Sequence, residues 1–204
     1  MRDTTAGEGS GRRGPRAAVA RSTGGRFLIR LEGALPVGWA GRLAAGLAGL
    51  RVSVLRGSAR RTPGPGWEAE LEVERLDPDV ELATLDLLEL AGREPPPIPR
   101  DGRHGPPLLR FAVQPGPAAL FVEVEARDEV GFLDRVLRIF ATYGLFPIEL
   151  RLETSERRVR DTFLLTSVGG EQPSAAVVEA LRAVLRERCT PAPLPVAAGA
   201  PRAM

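Results

Sequence analysis

The fold is decided by residues 121–144, which read Phe121-Val-Glu-Val-Glu-Ala126, Arg127-Asp-Glu-Val-Gly131 and Phe132-Leu-Asp-Arg-Val-Leu-Arg-Ile-Phe-Ala-Thr-Tyr-Gly144. The first block alternates apolar and acidic residues, as a half-buried strand does. In the third block the apolar residues recur three and four positions apart, which predicts an amphipathic helix over 132–143 that ends at Gly144. The middle block is therefore a strand-to-helix loop.

The remainder of the second half continues with two strands and a helix. Residues 148–153 alternate strictly and predict a strand, 155–158 predict a turn, and 159–168 predict the returning strand. A helix follows from about Pro173 to about Arg188. A short edge strand at 194–196 is possible, so the predicted order is β-α-β-β-α-β.

The first half repeats this order less regularly. It predicts a strand at 27–31, a helix at 39–48, a hairpin of 50–55 and 67–73, a helix from 77 to 91 and a final strand at 108–113. The tripeptides Val37-Gly38-Trp39 and Val130-Gly131-Phe132 occupy the same strand-to-helix junction 93 residues apart. This spacing indicates an internal duplication.

Three segments differ in composition from the two units. Residues 1–25 hold almost no large apolar side chains and predict a disordered tail, residues 92–107 form a proline-rich linker or loop, and residues 190–204 are a stretch rich in Pro and Ala that closes the chain. The predicted division is therefore a tail at 1–25, unit 1 at 26–114 with its proline-rich loop, unit 2 at 118–197 and a tail at 198–204. The fold class is α+β, with two ferredoxin-like βαββαβ units and antiparallel sheets.

Composition limits the possible functions. The 204 residues include 28 basic residues, all Arg, against 26 acidic ones, so the net charge of +2 disfavours broad nucleic-acid binding. A single Cys excludes an internal disulfide, and a single His excludes sites that need two histidines. With no Lys, a phosphate-binding loop is excluded. No apolar run approaches the length of a membrane span, so we expect a cytoplasmic protein. Because the missing Lys and the single His leave no candidate catalytic or metal site, we also expect a non-catalytic protein without metal or cofactor.

Two segments of unit 2 resemble the ACT domain family. They are Ala126-Arg-Asp-Glu-Val-Gly-Phe-Leu133, similar to the family's first loop, and Arg158-Val-Arg-Asp-Thr-Phe-Leu-Leu-Thr166, similar to its third strand. The tandem arrangement most resembles the C-terminal regulatory region of bacterial protein-PII uridylyltransferases, which senses glutamine. The chain lacks the catalytic motifs of those enzymes. The resemblance implies an allosteric, regulatory module that binds an amino acid at an ACT–ACT interface.

The resemblance also implies a binding site. Its residues would be Asp128, Glu129, Val130, Gly131, Phe132, Leu133 and Phe146. Gly131 would let the backbone approach a ligand, amides near Phe132 and Leu133 would hold a carboxylate, and Asp128 would pair with an ammonium group. Val130 replaces the family's usual proline, and Phe146 stands where the family often has Asn. Because Leu35 replaces the counterpart of Asp128, unit 2 is predicted to be the binder.

Several alternatives remain open on the sequence alone. Asp128 could simply cap the helix, and Trp39 and Trp67 could be core or interface residues. Asp161 could be a hydrogen-bond partner at an interface, but its charge favours a solvated face or an edge. At the level of function, a degenerate ACT pair could serve only as a protein–protein assembly module. A homodimer or a regulated protein partner is possible. An RNA-binding ferredoxin-like domain is disfavoured, because the strands lack paired aromatic residues and carry several Glu.

Overall fold

The computed structural model of the chain describes residues 14–94 and 107–189. The first stretch contains β1 (Arg16–Arg21), β2 (Phe27–Ala34), α1 (Trp39–Gly49), β3 (Val52–Arg61), β4 (Gly66–Arg75) and α2 (Leu87–Gly92). The second contains β5 (Leu108–Pro115), β6 (Leu120–Arg127), α3 (Phe132–Thr142), β7 (Leu145–Ser155), β8 (Arg158–Ser167) and α4 (Ala175–Arg188). Both stretches have the same order of elements, which confirms an α+β fold of two ferredoxin-like units.

The strands form one eight-stranded sheet in the order β1-β2-β4-β3-β7-β8-β6-β5, and every pairing is antiparallel. The two units meet at β3 and β7, where Arg56 lies opposite Glu153 and Arg60 lies opposite Glu149. Helices α1 and α3 also contact each other across this junction. The units are therefore joined side by side.

The core lies on one face of this sheet. Strand alternation buries Phe27, Ile29 and Leu31 on the side that the helices cover, while Arg30 and Glu32 point to the other side. That open side is covered with ion pairs between neighbouring strands: Arg30–Glu70, Arg60–Glu68, Arg160–Glu123 and Arg158–Glu125. Such charged cross-strand pairs suit an antiparallel sheet whose second face meets water.

The predicted tail at 1–25 is wrong for the part that the structure describes. Residues 16–21 form β1, which pairs with β2 from Arg16 opposite Glu32 to Arg21 opposite Phe27. This pairing gives the segment hydrogen-bond partners and half-buries Val19, although the segment has few apolar side chains of its own. Residues 1–13 lie outside the described range.

The strand that was predicted to complete unit 1 belongs instead to unit 2. β5 pairs with β6 after a short turn in which the Gly116 N–H donates to the Ala119 carbonyl at 2.9 Å. Closing this short hairpin costs less entropy than returning the strand to unit 1. In each unit the edge strand therefore precedes the first helix in the sequence and does not follow the second helix. The possible strand at 194–196 and linker residues 95–106 lie outside the described residues.

One helix of unit 1 is much shorter than predicted. A helix from 77 to 91 was expected, but α2 covers only Leu87–Gly92, after a single 3-10 turn at Leu82–Thr84. Asp86 is the N-cap, since its carboxylate accepts a hydrogen bond from the Glu89 N–H at 2.8 Å. The predicted helices at 39–48 and 132–143 are confirmed as α1 and α3.

Candidate functional site

The two strand-to-helix loops have the same local geometry. Gly38 and Gly131 are the N-cap residues of α1 and α3, with φ of 77° and 79° respectively, and neither helix start receives a side-chain cap. Glycine adopts this left-handed conformation without strain. Each loop faces the other unit, so the side-by-side arrangement creates two equivalent positions between the units.

At the predicted loop, part of the expected binding chemistry is already used. The Phe132 N–H donates to the Glu129 carbonyl at 3.0 Å, and the Asp128 N–H donates to the Arg157 carbonyl at 2.9 Å. Asp128 is therefore not the N-cap, and the Phe132 amide is not free for a carboxylate. Glu129 pairs with Arg135 at 2.6 Å.

The space beside this loop is small. The structure brings five of the seven predicted residues, Asp128, Glu129, Gly131, Phe132 and Leu133, to one cavity of about 30 Å³, which we call the Gly131 cavity. Its opposite wall comes from α1 and β3, where the Cβ of Ala48 lies 3.4 Å from the position that a side chain at Gly131 would occupy. A cavity of this size holds a water molecule and not an amino acid. Val130 and Phe146 do not line it.

Asp161 also lines the Gly131 cavity, and its position was not predicted. A solvated or edge charge was favoured for it, but its exposed fraction is only 3% and it lies on the helix-covered face of β8. Its carboxylate accepts one hydrogen bond, from the Glu153 N–H at 3.3 Å. Burial raises the pKa of Asp161 to about 8, so the side chain is protonated at neutral pH.

Burial likewise raises the pKa of Asp128, and the nearby carboxylates of Glu74 and Glu129 raise it further. The positive charge of Arg157 opposes this shift. Glu74 belongs to unit 1, so the electrostatic environment of this loop depends on both units. A small cavity lined by acidic side chains is a poor match for the carboxylate end of an amino acid.

Phe146 lies at the equivalent position on the other side of the junction. There, the loop of unit 1 and the start of β7 enclose a cleft of about 540 Å³, which we call the Gly38 cleft. A side chain at Gly38 would begin 3.5 Å from Cε1 of Phe146. The wall of the cleft includes Val37, Gly38, Trp39, Arg42, Arg61, Trp67, Asp134, Leu137, Arg138, Phe146 and Val168.

Most of the wall is apolar. Trp39 and Trp67 pack edge to face with ring centroids 5.4 Å apart, and Trp39 Nε1 is buried without a hydrogen-bond partner among the described residues. Val37 and Val168 at the same cleft have exposed fractions of 58% and 66%, which is unusual for large apolar side chains. Apolar walls with a few polar groups are typical of small-molecule sites.

Three arginines supply positive charge to the Gly38 cleft. Arg42 is held by the carbonyls of Val37 and Ala91 at 2.7 and 2.8 Å, and Arg138 pairs with Asp134 at 2.7 Å. Arg61 has no ion-pair partner within residues 14–94 and 107–189. Arg61 is therefore available to bind an anionic group.

Of the residues predicted from the sequence, only Phe146 lines this cleft, and the other lining residues were not predicted. The 93-residue repeat was the signal that could have found it, because it makes Gly38 the equivalent of Gly131. Unit 1 was set aside because Leu35 has no charge. The charged groups of the cleft come instead from α1, β3 and α3.

The comparisons with known proteins give one partial match in sequence. No family model matches the chain. The ACT domain-containing protein ACR6 of Arabidopsis thaliana is 33% identical over 63 residues, which are 31% of this chain and 14% of that protein. The matched segment thus spans about a seventh of the relative's length. The similarity supports the ACT resemblance for about a third of this chain.

Two solved structures show a distant likeness. Aspartate kinase from Synechocystis aligns with 80% of this chain and 27% of its own length, at 16% identity and a TM-score of 0.47. An unknown protein from Galdieria sulphuraria aligns with 79% of this chain and 92% of its own length, at 19% identity and a TM-score of 0.28.

The described helices are short or amphipathic. None within residues 14–94 and 107–189 has the length and apolar character needed to cross a membrane.

Proposed function

We propose that the chain is a non-catalytic, allosteric regulatory protein of the ACT family that binds an amino acid in the Gly38 cleft, between its two units. The observation that carries the proposal is the cleft itself. Its volume of about 540 Å³ falls within the range of about 300–1,000 Å³ that is usual for small-molecule sites. Both units contribute walls, so a bound ligand would favour one packing of the units over another.

The chemistry of the wall suggests how an amino acid would bind. Arg61 would pair with its carboxylate, and Asp134, which already pairs with Arg138 at 2.7 Å, would have to accept a second bond from its ammonium group. The apolar side chain of the ligand would lie against Trp39 and Phe146. We therefore expect a preference for amino acids with apolar or long side chains.

The finer resemblance to protein-PII uridylyltransferases suggests glutamine as the first ligand to test and a regulated enzyme as the partner. It also suggests a cytoplasmic location. The site proposed from the sequence, around Asp128, is the competing position for the same ligand. These points rest on the resemblance of Ala126-Arg-Asp-Glu-Val-Gly-Phe-Leu133 and Arg158-Val-Arg-Asp-Thr-Phe-Leu-Leu-Thr166 to the family.

A thermal-shift screen over the common amino acids tests the proposal. Millimolar concentrations of a ligand should raise the melting temperature of the wild-type chain, because binding to the folded state adds RT ln(1 + [L]/Kd) to its stability. Arg61→Ala should lose this shift. Arg30→Ala, which removes an arginine from the open face of the sheet, should retain it.

A further variant separates the two possible positions of the ligand. Asp128→Ala should keep the ligand-induced shift if the ligand lies in the Gly38 cleft. Loss of the shift in Asp128→Ala, with retention in Arg61→Ala, would place the ligand at the loop of unit 2 and contradict our assignment.

The second candidate is a degenerate ACT pair that acts only in protein assembly. Exposure of Val37 and Val168 at the mouth of the cleft favours it, because exposed apolar side chains often mark protein contacts. A flat response to every amino acid, with unchanged folding, would support this candidate over the sensor.

A further inference from the structure

β1 lies at one edge of the sheet. β1 pairs with β2 on one side, and no strand within the described ranges pairs with its other side. Its sequence, Arg16-Ala-Ala-Val-Ala-Arg21, has small side chains at its centre, and every residue except Val19 is exposed. An edge of this kind presents unpaired backbone N–H and C=O groups and can pair with another strand.

The opposite edge of the sheet, at β5, is protected. The pairing of β5 with β6 is interrupted by a register shift between Leu108 and Arg110. Cys189 forms a bridge to Leu108, and Nη2 of Arg182 donates to the Val113 carbonyl at 2.9 Å. Bulges, covering groups and charged residues are the usual means of preventing edge pairing. The pairing of β1 with β2 has no register shift, β1 contacts α2 and the 3-10 turn at Leu82–Thr84, and its charged residues, Arg16 and Arg21, lie only at its two ends.

The symmetry of an antiparallel pair limits how β1 could pair with itself. Residues directly opposite one another lie on the same face of a sheet, so a two-fold axis between identical strands must pass through a residue position. Val19 lies opposite Ile29 and is therefore on the helix-covered face. An axis at Ala18 would bring Pro15, which lacks an N–H, into the pairing. An axis at Val19 leaves Pro15 outside.

The charges of β1 fit the axis at Val19. In this register Ala18 faces Ala20 of the second copy, and Ala17 faces Arg21 of the second copy. No two arginines are directly opposite, so the like-charge repulsion that disfavours strand pairing is avoided. The two Val19 side chains would meet on the helix-covered face and exclude water from each other.

We propose that two copies of this chain join through β1, antiparallel and about a two-fold axis at Val19, to form one continuous sixteen-stranded sheet. The helices of both copies lie on the same side of that sheet. The dimer is independent of the ligand proposed for the Gly38 cleft, which lies at the centre of each chain and not at its edge.

Disulfide trapping in a Cys189→Ser background tests the register. Directly opposite residues of an antiparallel pair have Cα atoms about 4.5–5.5 Å apart, within the range of about 4.4–6.8 Å that a disulfide spans. Val19→Cys should therefore form a covalent dimer on mild oxidation. Ala18→Cys and Ala20→Cys should each form little covalent dimer when oxidised alone, but the two variants should cross-link to each other when mixed. Ala112→Cys, on β5, is the matched control and should not cross-link.

Light scattering on the full chain tests the dimer itself. The wild type should have twice the chain mass of 21.9 kDa, and Val19→Lys, which places two ammonium groups across the axis, should return it to the monomer mass. Ala112→Lys should remain dimeric, and circular dichroism should show that both variants are folded. A monomeric wild type would overturn the proposal. So would a dimer that Val19→Lys leaves intact, or cross-linking by Ala112→Cys in preference to Val19→Cys.

Discussion

Asp161 is an acidic residue in a buried position, where acidic side chains are rare. Its carboxyl group has an exposed fraction of 3% and accepts one hydrogen bond of 3.3 Å, so the charged form would cost much free energy in this position. It lies between the units, beside Asp128 and opposite Ser53 of β3. The protonated form is the one that this cavity accommodates.

The pKa of Asp161 makes stability depend on pH. Folding raises this pKa from 3.8 to about 8, so between these values the native state holds a proton that the unfolded state has released. The free energy of unfolding should therefore fall as the pH rises through this window, by about 1.4 kcal/mol per pH unit from this group, and level off above it. Denaturant titrations over a pH series measure this slope.

The matched variant is Asp161→Asn, which keeps the shape and an oxygen for the Glu153 N–H but cannot ionise. Its unfolding free energy should fall less steeply with pH than that of the wild type. Asp79→Asn, at an exposed position, controls for the change in net charge. Equal slopes in the wild type and Asp161→Asn would show that Asp161 is charged in the folded chain.

The sequence predicted the burial of individual residues only in part. Alternation correctly placed the buried strand residues such as Val124 and Phe163, because side chains on a strand point to opposite faces in turn. The same alternation places Asp161 on the buried face, but a charged residue type argued for the surface. The sequence does not show that burial raises the pKa of Asp161 and so keeps its side chain uncharged.

At the scale of elements, α1 shows how packing overrides helix propensity. Gly46 lies inside this helix, where glycine is intrinsically unfavourable. A side chain there would begin 2.8 Å from Cδ2 and 3.3 Å from Cβ of Leu90 on α2. Gly46 therefore allows α1 and α2 to approach closely, which a propensity argument alone does not predict.

Gly46→Ala and Gly49→Ala should consequently differ in their effect on stability. At Gly49, near the end of α1, nothing lies within 4 Å of the new side chain, so alanine should raise the free energy of unfolding by up to about 1 kcal/mol. At Gly46 the contact with Leu90 should cancel or reverse this gain. Thermal unfolding of both variants measures the difference, and an equal gain in both would show that α2 can move away freely.

Two of the three elements that were predicted wrongly, β1 and β5, share one physical cause. β1 and β5 are edge strands whose order comes from pairing with β2 and β6 and not from their own apolar content. Composition does not reveal that each of them pairs with the strand that follows it in the chain. The confirmed elements, α1 and α3, bury strong apolar faces and are locally specified.

At the scale of the whole molecule, the two positions between the units differ because the repeated helices differ. Ala44 of α1 lines the Gly131 cavity, whereas its equivalent 93 residues later, Leu137 of α3, lines the Gly38 cleft. Small side chains on α1 let the loop of unit 2 close against it. Larger ones on α3 hold the loop of unit 1 away, which leaves room for a ligand.

The site could be predicted only in part for the same reason. The sequence indicated two duplicated units, a glycine at each strand-to-helix junction and a role for Phe146. It could not show which junction is open, because the size of each cavity depends on side chains from the opposite unit. Asp128 led to the prediction that unit 2 is the binder, yet the cavity beside its acidic loop is much smaller than the cleft beside the loop of unit 1.

The proposed function requires a small molecule to bind between the units in the Gly38 cleft. Both tryptophans of the chain, Trp39 and Trp67, line this cleft, so intrinsic fluorescence reports on it directly. Gly38→Ala and Gly131→Ala form a matched pair, since each places a side chain at a left-handed position, at a cost of about 1–2 kcal/mol, but only the first narrows the cleft.

The most direct measurement is therefore a fluorescence titration of the three proteins with the amino acid that gives the largest thermal shift. We predict saturable changes in the wild type and in Gly131→Ala, and binding at least fivefold weaker in Gly38→Ala. Binding that Gly38→Ala leaves unchanged and Gly131→Ala abolishes would contradict the assignment of the ligand to this cleft.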